Sequence, residues 1–355
     1  MHLLWVLPLL VEAHNKTFLH HCTNGCQCQE EFKFANCASA NLSHLPLHLP
    51  PFTELLDLSN NHLMSIPRAA FQNTRRIKTL LLHDNNISVV TDGAFLTMEN
   101  LQKLDLSRNH LSHLREGFSL GLGSLKELLL AENKLSVLDT RSFQHLDGLV
   151  RLNLSHNTIH SIPVRAFGCM STLRQLHLDA NRLQKLRNGI FSMLKSLEVL
   201  SLQGNIISEI NIGVFTPLTS LALLNLASNN LTTIHFKTFL SFHTYSTHIL
   251  LVNNPWHCDC DLQRVFHKLQ SVQRFFLDDY YNLTCTEPAE LHGDKLIDVD
   301  AGLCIAETVT VLIITVTVVI TVVAAIVMAE RKRKKRIREK HWTEGGSDIS
   351  YDSQS

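Results

Sequence analysis

Asn61, Asn85, Asn109, Asn133, Asn157, Asn181, Asn205 and Asn229 follow one another at intervals of 24 residues, and Asn254 comes 25 after the last. Each of the eight closes a copy of L-x-L-x-x-N, with Leu or Ile two positions on, from LDLSNNHL to LNLASNNL. A chain with this period is an array of units, none of which buries its apolar face without a neighbour. Leucines two apart, such as Leu104 and Leu106, point to one side of a short strand, and Asp105 and Ser107 are expected to face outward. The asparagine amide both donates and accepts, so stacked copies are expected to form a ladder where the chain turns off the strand. Ten residues after the asparagine stands a phenylalanine in seven of the eight units: Phe71, Phe95, Phe143, Phe167, Phe191, Phe215 and Phe239. In the third unit Phe118 comes at nine and LGLGSL follows, which predicts a displaced return segment there. Nine strands about 4.8 Å apart give a face roughly 40 Å long, enough to seat a protein surface.

Cys22, Cys26, Cys28 and Cys37 precede the array as C-x3-C-x-C-x8-C, and Cys258, Cys260, Cys285 and Cys304 follow it. Four cysteines allow three pairings, and spacing does not choose among them. Zinc is the competing use of such clusters, and the export signals described below weigh against it by implying an oxidising compartment. From residue 22 to residue 304 the pattern resembles the extracellular leucine-rich repeat family. That resemblance implies an α/β solenoid, a horseshoe of leucine-rich repeats with disulfide caps, followed by one transmembrane helix. It pairs Cys22 with Cys28, Cys26 with Cys37, Cys258 with Cys285 and Cys260 with Cys304. It also divides the chain into an N-terminal cap at 22–49, eight repeats at 50–245, and a last strand and cap at 246–304.

Residues 1–13, MHLLWVLPLLVEA, read as a signal peptide without a basic start. Residues 308–328 hold 21 positions without a charge, enough to cross a bilayer core at about 1.5 Å per residue. Eight Lys and Arg between Arg331 and Lys340 follow at once, which places the 330–355 tail in the cytosol and the repeats outside. A single-pass type I protein of the plasma membrane is expected. The formal net charge of zero hides a basic tail and a mildly acidic remainder. Because the basic run abuts the apolar segment, its expected partners are anionic lipid head groups, at about 1 kcal/mol per residue near the surface, and not nucleic acid. Thr317, Thr321 and Ala325 form a four-residue stripe where a second helix could approach. Tyr351, in YDSQ, is a candidate phosphorylation and docking position in a tail too short for a folded domain.

Asn15, Asn41, Asn86, Asn153, Asn230 and Asn282 begin glycosylation sequons, and Asn153 falls on the strand face itself. The outward positions of the middle units carry Lys103, Asp105, Arg108, Glu127, Glu132 and Arg151. Toward the C-terminal end they carry Val199, Leu223, Leu250 and Val252, which mark a contact surface unless the cap folds over them. His83, His156, His177 and His248 lie on or beside this face. Cys169, in AFGCM, falls outside both caps and is expected as a free thiol, with an intermolecular disulfide as the alternative. No nucleophile and base, paired carboxylates or metal-ligand spacing recurs, so neither an enzyme nor a cofactor is expected. The function implied is a cell-surface recognition or adhesion receptor that binds an extracellular protein or a membrane co-receptor. The alternative is an accessory subunit of a channel or receptor, suggested by the short tail and by Cys304 lying four positions before Thr308.

Overall fold

The computed structural model describes residues 19–20, 22, 25–240, 242, 244–299 and 301–344, leaving out side chains at 19–20, 301–308 and 339–344. The signal peptide, the sequon at Asn15, the Cys304 side chain and Tyr351 lie outside the described residues.

Each of the eight repeats contributes one three-residue strand and the last strand, Thr247–Leu250, has four residues; the nine pair in parallel, in register, from Leu55–Asp57 onward. The sheet runs beyond the nine strands expected. At the N-terminal end the strand Phe34–Asn36 pairs in parallel with Leu55–Asp57 and antiparallel with Gln27–Gln29, which in turn pairs with Leu19–His20. At the other end Phe275–Leu277 adds to Thr247–Leu250, so the described sheet has 13 strands. The central residue of each repeat strand is a buried Leu or Ile. The following leucine is buried as well. Ser107 is a correction: it is buried, and its N–H donates to Asp105 Oδ1 at 2.9 Å as the chain leaves the strand.

The asparagines form the expected ladder. Asn157 accepts from Leu135 N–H, 22 residues back, at 2.9 Å, and donates to the carbonyls of Leu130 and Leu154, both at 3.0 Å. Leu154 O also receives Asn181, and Leu130 O also receives Asn133, so each carbonyl is shared by two consecutive amides. Asn254, despite its extra residue, repeats the arrangement with Leu231 N–H, Leu226 O and Leu251 O. All nine side chains are buried, which requires this complete pairing.

On the far side the phenylalanines make a buried spine, with Phe71 on Phe95 at 6.1 Å and Phe191 on Phe215 at 6.3 Å. Phe118, one residue early, joins it edge-on to Phe95 at 5.8 Å from the 3-10 turn Glu116–Ser119. The displacement is absorbed by Gly121, whose φ of +88° and closeness to the Phe95 carbonyl leave no space for a Cβ. Phe242 extends the spine between Phe215 and Phe275. Return segments are mostly turns. Within residues 25–298 the described α-helices are Phe236–Leu240 and the cap helix Cys260–Ser271, whose N-terminus is closed by Asp259 Oδ1 accepting from Leu262 N–H at 2.7 Å.

Cys22–Cys28, Cys26–Cys37 and Cys258–Cys285 are disulfides, as the resemblance implies. Cys260 is disulfide-bonded too. Residues from 299 onward form a separate compact unit, in which the helix Ala301–Glu344 contains one segment, from Val309, long and apolar enough to cross a membrane. Its Thr317 and Thr321 hydroxyls donate to their own helix, to Ile314 O and Val318 O, at 2.7 and 2.8 Å. The stripe therefore has these two hydroxyl protons already engaged.

Candidate recognition surface

Because the strands stack in register, side chains at equivalent positions line up across the open face. One such row reads Lys103, Glu127, Arg151, Gln175, Val199, Leu223, His248 and Phe276. Its two halves differ in chemistry. In the first half Lys103 Nζ lies 3.0 Å from Glu127 and Arg151 Nη1 lies 3.4 Å from the other oxygen of the same carboxylate. Nearer the strand ends Arg108 grips Asp84 through two hydrogen bonds, at 2.6 and 2.7 Å, and approaches Glu132 at 3.7 Å. These bonds hold the Asp84 carboxyl at about 2, well below the usual range, while burial opposes the shift. At the N-terminal end Lys33 and then Lys78 do the same for Glu54, which also sits at about 2. Of the charged residues singled out from sequence, Lys103, Arg108, Glu127, Glu132 and Arg151 thus pair from coil to coil, while Asp105 accepts Ser107 N–H.

In the second half there is no such pairing among the aliphatic residues. Val199 and Leu223 are neighbours across two strands, each half-buried, and Leu250 lies beside Asn225 two residues along. The cap does not fold over them. It extends the sheet edge instead, and brings in Phe276, 45% exposed, stacked on His248 at 5.0 Å. His248 Nδ1 is also 3.0 Å from both Asp278 oxygens. Val252 is half-buried, and its N–H, like that of Leu251, donates to Asp279 Oδ2. Burial pushes the Asp279 carboxyl up against these two hydrogen bonds. Phe276 was missed from sequence because the cap has no 24-residue phase; the signal present was the alternation in Phe275 and Phe276, one ring in and one out.

Asn153 is on the face, as expected, with Oδ1 taking Ser155 N–H at 3.0 Å and Ser155 Oγ at 2.7 Å. His177 points at Asp179, where burial raises the carboxyl but bonds from His177 and Ser201 outweigh it and leave it lowered. His83 is held by Asp84 at 2.8 Å, and His156 is exposed at the turn. Cys169 is half-buried, donates its thiol to Phe143 O at 2.8 Å, and is pushed up in pKa by burial. Among the described residues no group of three or more His, Cys, Asp or Glu is placed to hold a metal ion.

Comparison with known proteins agrees with this geometry. The leucine rich repeat family profile matches at residues 53–111, 75–135, 123–183 and 171–231, windows that together run without a gap over half of the 355 residues. The mouse chondroadherin-like protein is 39% identical over 61 residues, 17% of this chain, and the match spans only 8% of that protein's length. The crystal structure of human 5T4 (Wnt-activated inhibitory factor 1, trophoblast glycoprotein) superposes with a TM-score of 0.59 and 25% identity, over 80% of this chain and 99% of that one. A chain from the octameric complex of Latrophilin 3, Unc5D and FLRT2 gives 0.59 with 24% identity over 79% of this chain and 99% of that one, a likeness of fold alone.

Proposed function

The chain belongs to the leucine-rich repeat family, and from that premise we propose that it is a non-catalytic, cell-surface recognition protein that binds a protein partner on the C-terminal half of its open sheet face. The observation that carries this reading is the row Val199, Leu223, His248 and Phe276. An apolar and aromatic cluster next to a self-neutralised charged half has the composition of an interface core, with the charges left to set orientation. The solved complex containing FLRT2 joins a leucine-rich repeat module to modules of Latrophilin 3 and Unc5D, which supports the same use of this fold. Export, the 308–328 span and the cytosolic tail fit the same reading, and the eight cap cysteines suit an oxidising exterior.

The test is to display the full chain on cells and screen it against a panel of cell-surface proteins, then repeat with Leu223→Glu and Phe276→Ala. Loss of a central apolar anchor weakens binding by about 2 kcal/mol or more, a factor of roughly 30. A partner that tolerates both substitutions at matched surface expression overturns the assignment of the face.

A further inference from the structure

Where the strands end, the coils present a second surface that the open face does not use. Between Asn86 and Asn230 each coil sets one residue on this edge: His110, Lys134, Thr158, Arg182 and Ile206. Their backbone N–H groups donate to the carbonyls of Ile87, Leu111, Leu135, Ile159 and Leu183 in the preceding coils at 2.8–3.1 Å, which sets them in a regular row from coil to coil. With about 4.8 Å per coil, Lys134 and Arg182 stand roughly 10 Å apart, and the asparagines at the two ends roughly 29 Å apart.

The charges of this row differ from those of the face. Lys134 and Arg182 are exposed and form no ion pair among the described residues. Two carboxylates close to them in sequence are engaged elsewhere, Glu132 with Arg108 at 3.7 Å and Glu209, in the coil after Arg182, with Lys185 at 2.6 Å. His113 and His160, both exposed, add donors within three positions of the row. The exposed aliphatic groups there, Val137 and Ile206, stand singly and make no continuous apolar centre of the kind a protein interface needs. Spaced cations and hydrogen-bond donors repeated from coil to coil suit a linear anionic chain. The flanking Asn86 and Asn230 are both sequon asparagines and both exposed, so the chain's own carbohydrate would frame this stretch and leave it uncovered.

We propose that this edge binds a sulfated polysaccharide lying across the coils, with Lys134 and Arg182 each meeting a sulfate. The inference is independent of the partner face, since no residue is shared between them.

The experiment uses the full chain on cells that make no sulfated glycosaminoglycan, with a fluorescent heparin-derived octasaccharide as probe. On such cells the basic tail lies inside and does not contribute. The wild type is expected to bind the sulfated probe at about 0.15 M salt and not its desulfated counterpart. The double variant Lys134→Glu/Arg182→Glu should lose at least about tenfold in affinity, while Arg76→Glu/Lys195→Glu, with the same charge change on exposed return segments, keeps it. Leu223→Glu should leave probe binding intact, so failure of the face and failure of the edge are told apart. Absence of wild-type binding, equal binding of the desulfated probe, or equal loss in the two double variants overturns the inference. So does a preference for a polyglutamate peptide over the octasaccharide.

Discussion

Replacing one ladder asparagine tests the account of what holds the coils together. Asn157 is buried and ties its own coil, through Leu154 O, to the preceding one, through Leu130 O and Leu135 N–H. In Asn157→Ala the Leu135 N–H is orphaned, at about 1–3 kcal/mol, while the two carbonyls each keep one amide donor, from Asn133 and Asn181, and lose less. The expected total is about 2–4 kcal/mol, on the order of 5–10 °C in the thermal midpoint. Asn157→Asp is nearly isosteric and keeps the acceptor for Leu135 N–H, yet it turns a carboxylate oxygen toward two carbonyl oxygens 3.0 Å away. Near neutral pH it should therefore be less stable than the alanine variant. Burial and the facing carbonyls raise this carboxyl's pKa above its unfolded value, so its stability is greatest below the unfolded pKa and falls as pH rises through the folded one. Thermal unfolding of full chains in nanodiscs, followed from pH 7.5 down to about pH 5, checks this. If Asn157→Asp matches wild type, or tracks Asn157→Ala at every pH, donation to the carbonyls is not what the ladder asparagine supplies.

Two further outcomes are expected. Cys258→Ser should sharply reduce surface expression, since a native disulfide of this kind contributes about 2–5 kcal/mol, whereas Cys169→Ser should be silent and the native Cys169 thiol slow to alkylate; equal effects in flow cytometry would contradict the two assignments. The Glu54 and Asp84 carboxyls, at about 2, lie below their ordinary 4.5 and 3.8, so their stabilising effect is present above those values and lost as pH falls toward 2. The gap in thermal midpoint between wild type and Glu54→Gln/Asp84→Asn should close over that window, and a gap that does not change with pH would refute the ion pairs as its source.

The repeating unit was legible because its constraints are local and periodic. Leu104 and Leu106 mark a strand wherever they recur, and Asn109 has one geometry in which every amide atom is paired. The face was legible in position but not in state. Asp84, Arg108 and Glu132 are 24 apart, and that in-phase alternation of sign was a readable sign of pairing between coils. Phe276 was not readable in this way, because its place on the face comes from Phe275–Leu277 pairing with Thr247–Leu250 after the period has ended. Asp279 belongs to the same class: its role as acceptor for Leu251 and Val252 N–H depends on a 28-residue excursion through the cap helix.

A glycan wedge on the sheet face tests the central claim most directly. Leu223→Asn/Asn225→Ser creates a sequon in the apolar half of the row, and Met193→Asn/Lys195→Ser creates one on an exposed return segment. With glycosylation of both confirmed by mass shift, the face wedge should abolish binding of the protein partner on cells and the return-segment wedge should leave it unchanged. Partner binding that survives the Leu223 wedge, or that is lost only with the Met193 wedge, would contradict recognition through the open face.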